Sequence, residues 1–167
     1  MAKHKDEIIG RAYDEPKKLV QKYSKRNIPL LFLGETGSGK ELFARLYMEK
    51  NNRTGERRTV NCAAFSSEVL PSEIFGHVKG AYTGADKKRE GLISTCKDGI
   101  LFLDELGSAS QEFQASILRV AEKNSYRPVG SDAEHPCNTL FIASTSNLSN
   151  VREDLIYRLC SRHVKAQ

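Results

Sequence analysis

No apolar run in the sequence approaches the roughly 20 residues that a membrane-crossing helix needs, so a helical span is excluded. Residues 1–10 are polar and charged and carry no signal-peptide pattern, which makes a cytoplasmic protein the expectation. The four cysteines, Cys62, Cys96, Cys137 and Cys160, form no C-x-x-C pair, and the histidines are not spaced around them as ligands. That argues against a zinc site and for free thiols, buried or half-buried. The net charge of +5 comes without a helix-turn-helix, zinc-finger or aromatic-rich RNA-binding pattern. The basic residues are scattered as solvated surface, and specific nucleic-acid binding by this chain alone is not expected. Repeats and low-complexity linkers are also missing.

What is present suits one domain with a real core: 39% of 167 residues are apolar and 28% are charged. Helical and strand patterns alternate along the chain. Helices are expected over 14–25, 40–50, 111–123 and 151–160, with weaker helical character at 66–75 and a turn or two at 91–96. Short apolar runs at 28–33, 100–103 and 139–143 read as strands buried on both faces, and 58–62 as a further strand. Residues 77–89 and 125–138 read as loops. This alternation predicts an α/β layered fold with a mainly parallel sheet, whose ligands sit at the carboxyl ends of the strands.

One loop at such an end carries chemistry. Gly34, Glu35, Thr36, Gly37, Ser38, Gly39, Lys40 and Glu41 follow the first apolar strand and lead into a helix. Glycines let main-chain amides turn inward around phosphates, the helix amino end adds positive field, and Lys40 supplies a charge for the β- and γ-phosphates. A nucleoside triphosphate, ATP, is the implied ligand. Glu41 stands where such loops usually place a serine or threonine against Mg²⁺, so the metal must lean on another group. Asp104, at the end of the apolar run 100–103, can hold Mg²⁺ directly or through water. Glu105 follows it and can orient and deprotonate an attacking water. A strand between the two motifs points to the branch of phosphate-loop ATPases with such an insertion.

The segment GHVKGAYTGADKKREG makes the reading more specific. It resembles the signature loop of bacterial enhancer-binding proteins, the AAA+ activators of sigma-54 RNA polymerase. SEIFGH, GETGSGKE, GILFLDEL and REDLIYRL resemble the same family. The resemblance implies a single AAA+ α/β domain over 1–167, with a central, mainly parallel five-stranded sheet flanked by helices. It also implies that the lid, receiver and DNA-binding parts are not in this chain. Gly80, Ala81, Tyr82, Thr83, Gly84 and Ala85 would form a mobile tip that touches sigma-54 and, driven by nucleotide state, remodels the closed promoter complex. The ring of Tyr82 stands where the family's commonest form has phenylalanine.

By position, Ile9 and Gly10 would pack on the adenine ring, and Asn61 would restrain Glu105. Thr145 would stand at the sensor position, where the family usually carries asparagine, with Asn147 two residues on. Arg152 and Arg158 would reach the γ-phosphate of a neighbouring subunit in a ring, hexameric by the resemblance. Lying nearly two helical turns apart, they cannot both point at one spot from a straight helix. Either one could instead pair with Glu153 or Asp154. The stretch 148–152 is shorter than in typical members. Two other readings stand beside the ATPase: a silent nucleotide-dependent scaffold that binds sigma-54, and an unrelated AAA+ remodeller such as a replication loader.

Overall fold

The computed structural model describes residues 13–159 and 163–165. In chain order the elements are α1 (Asp14–Ser24), β1 (Leu31–Leu33), α2 (Lys40–Lys50), β2 (Arg57–Asn61), α3 (Val69–Phe75), β3 (Gly76–His77), β4 (Arg89–Glu90), α4 (Leu92–Thr95), β5 (Ile100–Asp104), α5 (Gln111–Lys123), β6 (Ser125–Tyr126), β7 (His135–Pro136), β8 (Leu140–Thr145), α6 (Glu153–Leu159) and β9 (His163–Lys165). Asp14 and Glu15 in the first turn of α1, and Lys22 in its last, match the helix dipole. Ser110 caps α5 by accepting from the Phe113 N–H.

Five strands form the main sheet in the order β2-β5-β8-β1-β9, and every pairing in it is parallel. Such a sheet must be covered on both faces, because helices return the chain between parallel strands. Successive residues of β5 and β8 therefore enter opposite layers. Ile100, Phe102, Leu140 and Ile142 pack with Val20, Phe43 and Tyr47 from α1 and α2. Leu101, Leu103, Phe141 and Ala143 pack with Ile74, Phe113, Ile117 and Leu155 from α3, α5 and α6. Phe32 and Phe102 meet edge-on at 6.3 Å in the first layer.

The helices at 40–50 and 111–123 form over the expected residues. The strand expected over 58–62 shifts to Arg57–Asn61, because the Asn61 side chain accepts from Ala63 N–H and starts a 3-10 turn at Cys62. The loop expected over 77–89 stands on a two-residue antiparallel stem, β3 with β4. The edge strand β9 has no apolar run to announce it.

The base of that stem is a close crossing of main chain. A Cβ added at Gly91 would lie 2.3 Å from both Gly76 N and Ile74 O. Gly76 has φ 74°, a conformation that favours glycine. Gly91→Ala leaves an ordinary φ in place, so its cost is steric. It is expected to lower unfolding stability by about 2 kcal/mol or more, read as a lower urea midpoint.

Candidate nucleotide site

The loop from Gly34 to Glu41 joins β1 to α2 at the carboxyl end of the sheet. Gly37 and Gly39 hold φ 85° and 82°, which residues with a Cβ rarely adopt. Gly39 is the N-cap of α2 and offers no side chain to the first-turn amides, leaving the helix amino end open to an anion. Lys40 is only 6% exposed. Its Nζ donates to Gly34 O at 2.8 Å and Glu35 O at 3.0 Å, and pairs with Glu105 Oε1 at 3.2 Å. Ser38 Oγ is buried in the same loop without a hydrogen-bond partner among the described residues. An unmade bond of that kind costs about 1–3 kcal/mol, which suits a group meant for a ligand. Glu41 turns to Arg45, at 2.8 Å, along the exposed face of α2.

Thr36, Gly37, Gly39, Lys40, Glu41, Leu42, Asn61, Asp104 and Glu105 line one cavity of about 370 Å³. Asp104 closes β5 and Glu105 begins the next turn with φ 50° and ψ 49°, a left-handed conformation. Its carbonyl accepts from Ser108 N–H at 2.9 Å. Ser144, fully buried on β8, donates its hydroxyl to Asp104 Oδ1 and accepts from Glu105 N–H at 3.0 Å. Ser146 holds Glu105 Oε2 with its N–H at 3.3 Å and its hydroxyl at 3.1 Å. Both hydroxyls were outside the sequence reading. Nothing in the local pattern marks them, since their partners lie on a strand distant in the chain.

Thr145 does not occupy the place assigned to it. Its hydroxyl donates to Asn147 O at 3.0 Å and accepts from Asn147 N–H at 3.2 Å, and the residue is buried. Successive residues of a strand face opposite sides, and it is Ser146, one residue on, that reaches Glu105. Asn61 lines the cavity, but its side-chain oxygen accepts from Ala63 N–H at 2.9 Å. Glu105 is held by Lys40 and Ser146 instead. Cys62, next in the chain, is buried, and its thiol is pushed up to about 12 by that burial and by the charge of Asp104. Burial thus disfavours the thiolate, the form that attacks or ligates. Cys96 is likewise buried and free, and Cys137 is half-buried, as expected for the thiols.

Arg152 and Arg158 lie away from this cavity. Arg152 forms a bidentate pair with Asp154, with Nε–Oδ1 at 3.0 Å and Nη2–Oδ2 at 2.6 Å. The same contact holds the Asp154 carboxyl below its usual range. Arg158 donates to Ala121 O, near the carboxyl end of α5, where a cation is favoured. Ile9 and Gly10 lie outside the described residues.

The residues from Gly80 to Ala85 form a hydrogen-bonded tip. Gly80 N–H donates to Ala85 O at 2.8 Å and Ala85 N–H to Tyr82 O at 3.0 Å. Gly80 and Gly84 have φ 80° and 99°. Ala85 is buried, whereas Tyr82 is 48% exposed, its ring edge-on to His77 at 5.1 Å. His77 in turn shares a 2.6 Å hydrogen bond with Ser72 of α3.

Among the described residues no group of three or more His, Cys, Asp or Glu side chains is arranged to hold a metal by itself. Two adjacent carboxylates beside a phosphate loop fit a hard divalent ion that takes its remaining ligands from phosphate and water.

A family model described as Sigma-54 interaction domain matches residues 8–165. The Nif-specific regulatory protein of Rhizobium leguminosarum bv. trifolii is 38% identical over 163 residues, 92% of this chain and 46% of that protein. The hydrogenase transcriptional regulatory protein HoxA of Cupriavidus necator is 38% identical over 158 residues, 90% of this chain and 33% of that protein. The chain thus spans less than half the length of these relatives. NtrX from Brucella abortus in complex with ATP has a TM-score of 0.83 at 29% identity, covering 96% of this chain and 38% of that one. These matches agree with the phosphate loop, the acidic strand end and the parallel sheet: the chain belongs to the sigma-54 interaction domain family, the AAA+ domain of sigma-54-dependent activators.

Proposed function

We propose that this chain binds ATP with Mg²⁺, hydrolyses it, and uses the loop around Tyr82 to press on sigma-54 and remodel a closed promoter complex. The observation that carries the reading is the convergence of Lys40, Asp104 and Glu105 on one cavity at the amino end of α2. In this reading Lys40 and the amides of the loop from Gly34 to Glu41 hold the phosphates. Asp104 would hold Mg²⁺, directly or through water, and Glu41 stays with Arg45. Bound Mg²⁺ supplies positive charge to the phosphate oxygens. A phosphate oxygen that takes the Lys40 ammonium frees Glu105 Oε1 to receive a proton from water, while Ser146 steadies Oε2. NtrX complexes with ATP and with ADP, similar in fold, support a nucleotide as the ligand.

Arg152 and Arg158 would complete the site of a neighbouring copy in a homo-oligomeric ring, which the resemblance suggests is hexameric. An arginine placed in that way stabilises the charge of the transition state. Each must first leave its partner in its own chain, Asp154 or Ala121 O. That engagement favours a second reading, a scaffold that binds nucleotide and sigma-54 without turnover. Phosphate release measured across a range of protein concentrations separates the two. A rate per subunit that climbs with concentration supports completion by a neighbour. ATP binding and assembly without release supports the scaffold.

The loop has its own test. Tyr82→Ala is expected to leave ATP affinity within about twofold and to cut capture of sigma-54, with a transition-state analogue present, by roughly thirtyfold, the loss typical of a buried aromatic anchor. Undiminished capture would remove Tyr82 from the interface.

A further inference from the structure

The geometry points to Ser144 as a positioning residue that sets both carboxylates of the nucleotide site. The inference rests on the reading of Asp104 as the metal-holding group and deepens it. Ser144 sits in β8, whose six residues are all buried. A hydroxyl in such a strand has no water to bond and must find partners within the protein. Ser144 finds them on two consecutive residues of the neighbouring strand's end. It donates to Asp104 Oδ1 and accepts the N–H of Glu105 at 3.0 Å.

The parallel register explains how one side chain reaches both. Leu103 pairs with Ala143, so the next residues, Asp104 and Ser144, leave the ladder side by side. The hydroxyls beyond it cannot stand in, since Thr145 is tied to Asn147 and Ser146 to the Glu105 carboxylate.

Two consequences follow for the site. A donor on Oδ1 fixes the rotation of the Asp104 carboxylate and leaves Oδ2 for a cation in the cavity that Asp104 lines. The bond from Glu105 N–H helps hold the left-handed main chain there. Ser144 thereby acts on metal and water through residues it touches, without meeting either.

The test uses a fluorescent ATP analogue titrated into the whole chain with and without excess Mg²⁺. Ser144→Ala is expected to leave the affinity without Mg²⁺ within twofold and to reduce the Mg²⁺-dependent gain about tenfold. Phosphate release by the same variant should need about tenfold more Mg²⁺ for half its maximal rate. Ser144→Thr, which keeps a hydroxyl, is expected to retain most of the gain, and Ser144→Val, of the same shape without one, to lose it. The Thr–Val contrast holds even if the extra methyl lowers stability in both.

An alanine variant with the full Mg²⁺-dependent gain overturns the inference while leaving the Asp104 reading intact. Equal losses with and without Mg²⁺ in both the alanine and valine variants also overturn it, since they indicate packing alone. A wild-type chain whose affinity ignores Mg²⁺ sinks the Asp104 reading and the inference with it.

Discussion

Alanine in place of Lys40 is expected to weaken ATP binding by roughly a hundredfold or more, the loss that follows from removing one or two charge-assisted hydrogen bonds worth about 1.5–3 kcal/mol each. The side chain is buried to 6% exposure, and its ammonium sits where loop carbonyls and a carboxylate already converge. Nothing else in the cavity lining carries a positive charge. The variant also strips Glu105 Oε1 of its counterion, although the 22% exposure of that side chain lets water soften the cost. Lys40→Met keeps the apolar stem and separates the loss of charge from the loss of packing. Isothermal titration with ATP and a thermal melt on both variants check this. ATP affinity within threefold of wild type would remove the loop from the binding site.

Alanine in place of Glu105 is expected to do the reverse, retaining ATP while lowering turnover by about 10²–10⁴-fold, the usual contribution of a general base. Lys40 keeps its two carbonyl acceptors in that variant and gains freedom to meet phosphate. The main chain at 105 is left-handed with glutamate already in place, so alanine adds no new strain of the β-branched kind. Steady-state phosphate release under saturating ATP is the measurement. Turnover at the wild-type rate would sink the assignment of Glu105, and a parallel fall in affinity would point instead to a structural role through Lys40.

The parts of this site legible in the sequence are those whose chemistry is local. The loop from Gly34 to Glu41 announces itself because left-handed turns at Gly37 and Gly39 demand glycine. Three of the inner strands announce themselves because parallel strands covered on both faces need unbroken apolar runs. Less visible are groups whose partners lie far along the chain. Ser144 and Ser146 look like polar interruptions at the end of a strand, and only the pairing of β5 with β8 reveals what they hold. Reading Thr145 as the sensor residue fails for the same reason, since an error of one position in a strand exchanges its two faces. Asn61 is a different case. Its amide oxygen accepts the nearby Ala63 N–H, a local cap that fixes how the side chain is turned. The edge strand at 163–165 needs only one neighbour and no apolar run, so composition could not locate it.

The crossing of Gly76 and Gly91 works as a mount for whatever lies between them. The chain leaves and re-enters the domain through one short ladder, so the fold dictates where the segment is displayed. Within it the Tyr82 ring leans on His77, which Ser72 of α3 holds, so the tip is tied back to the body of the domain through its own stem.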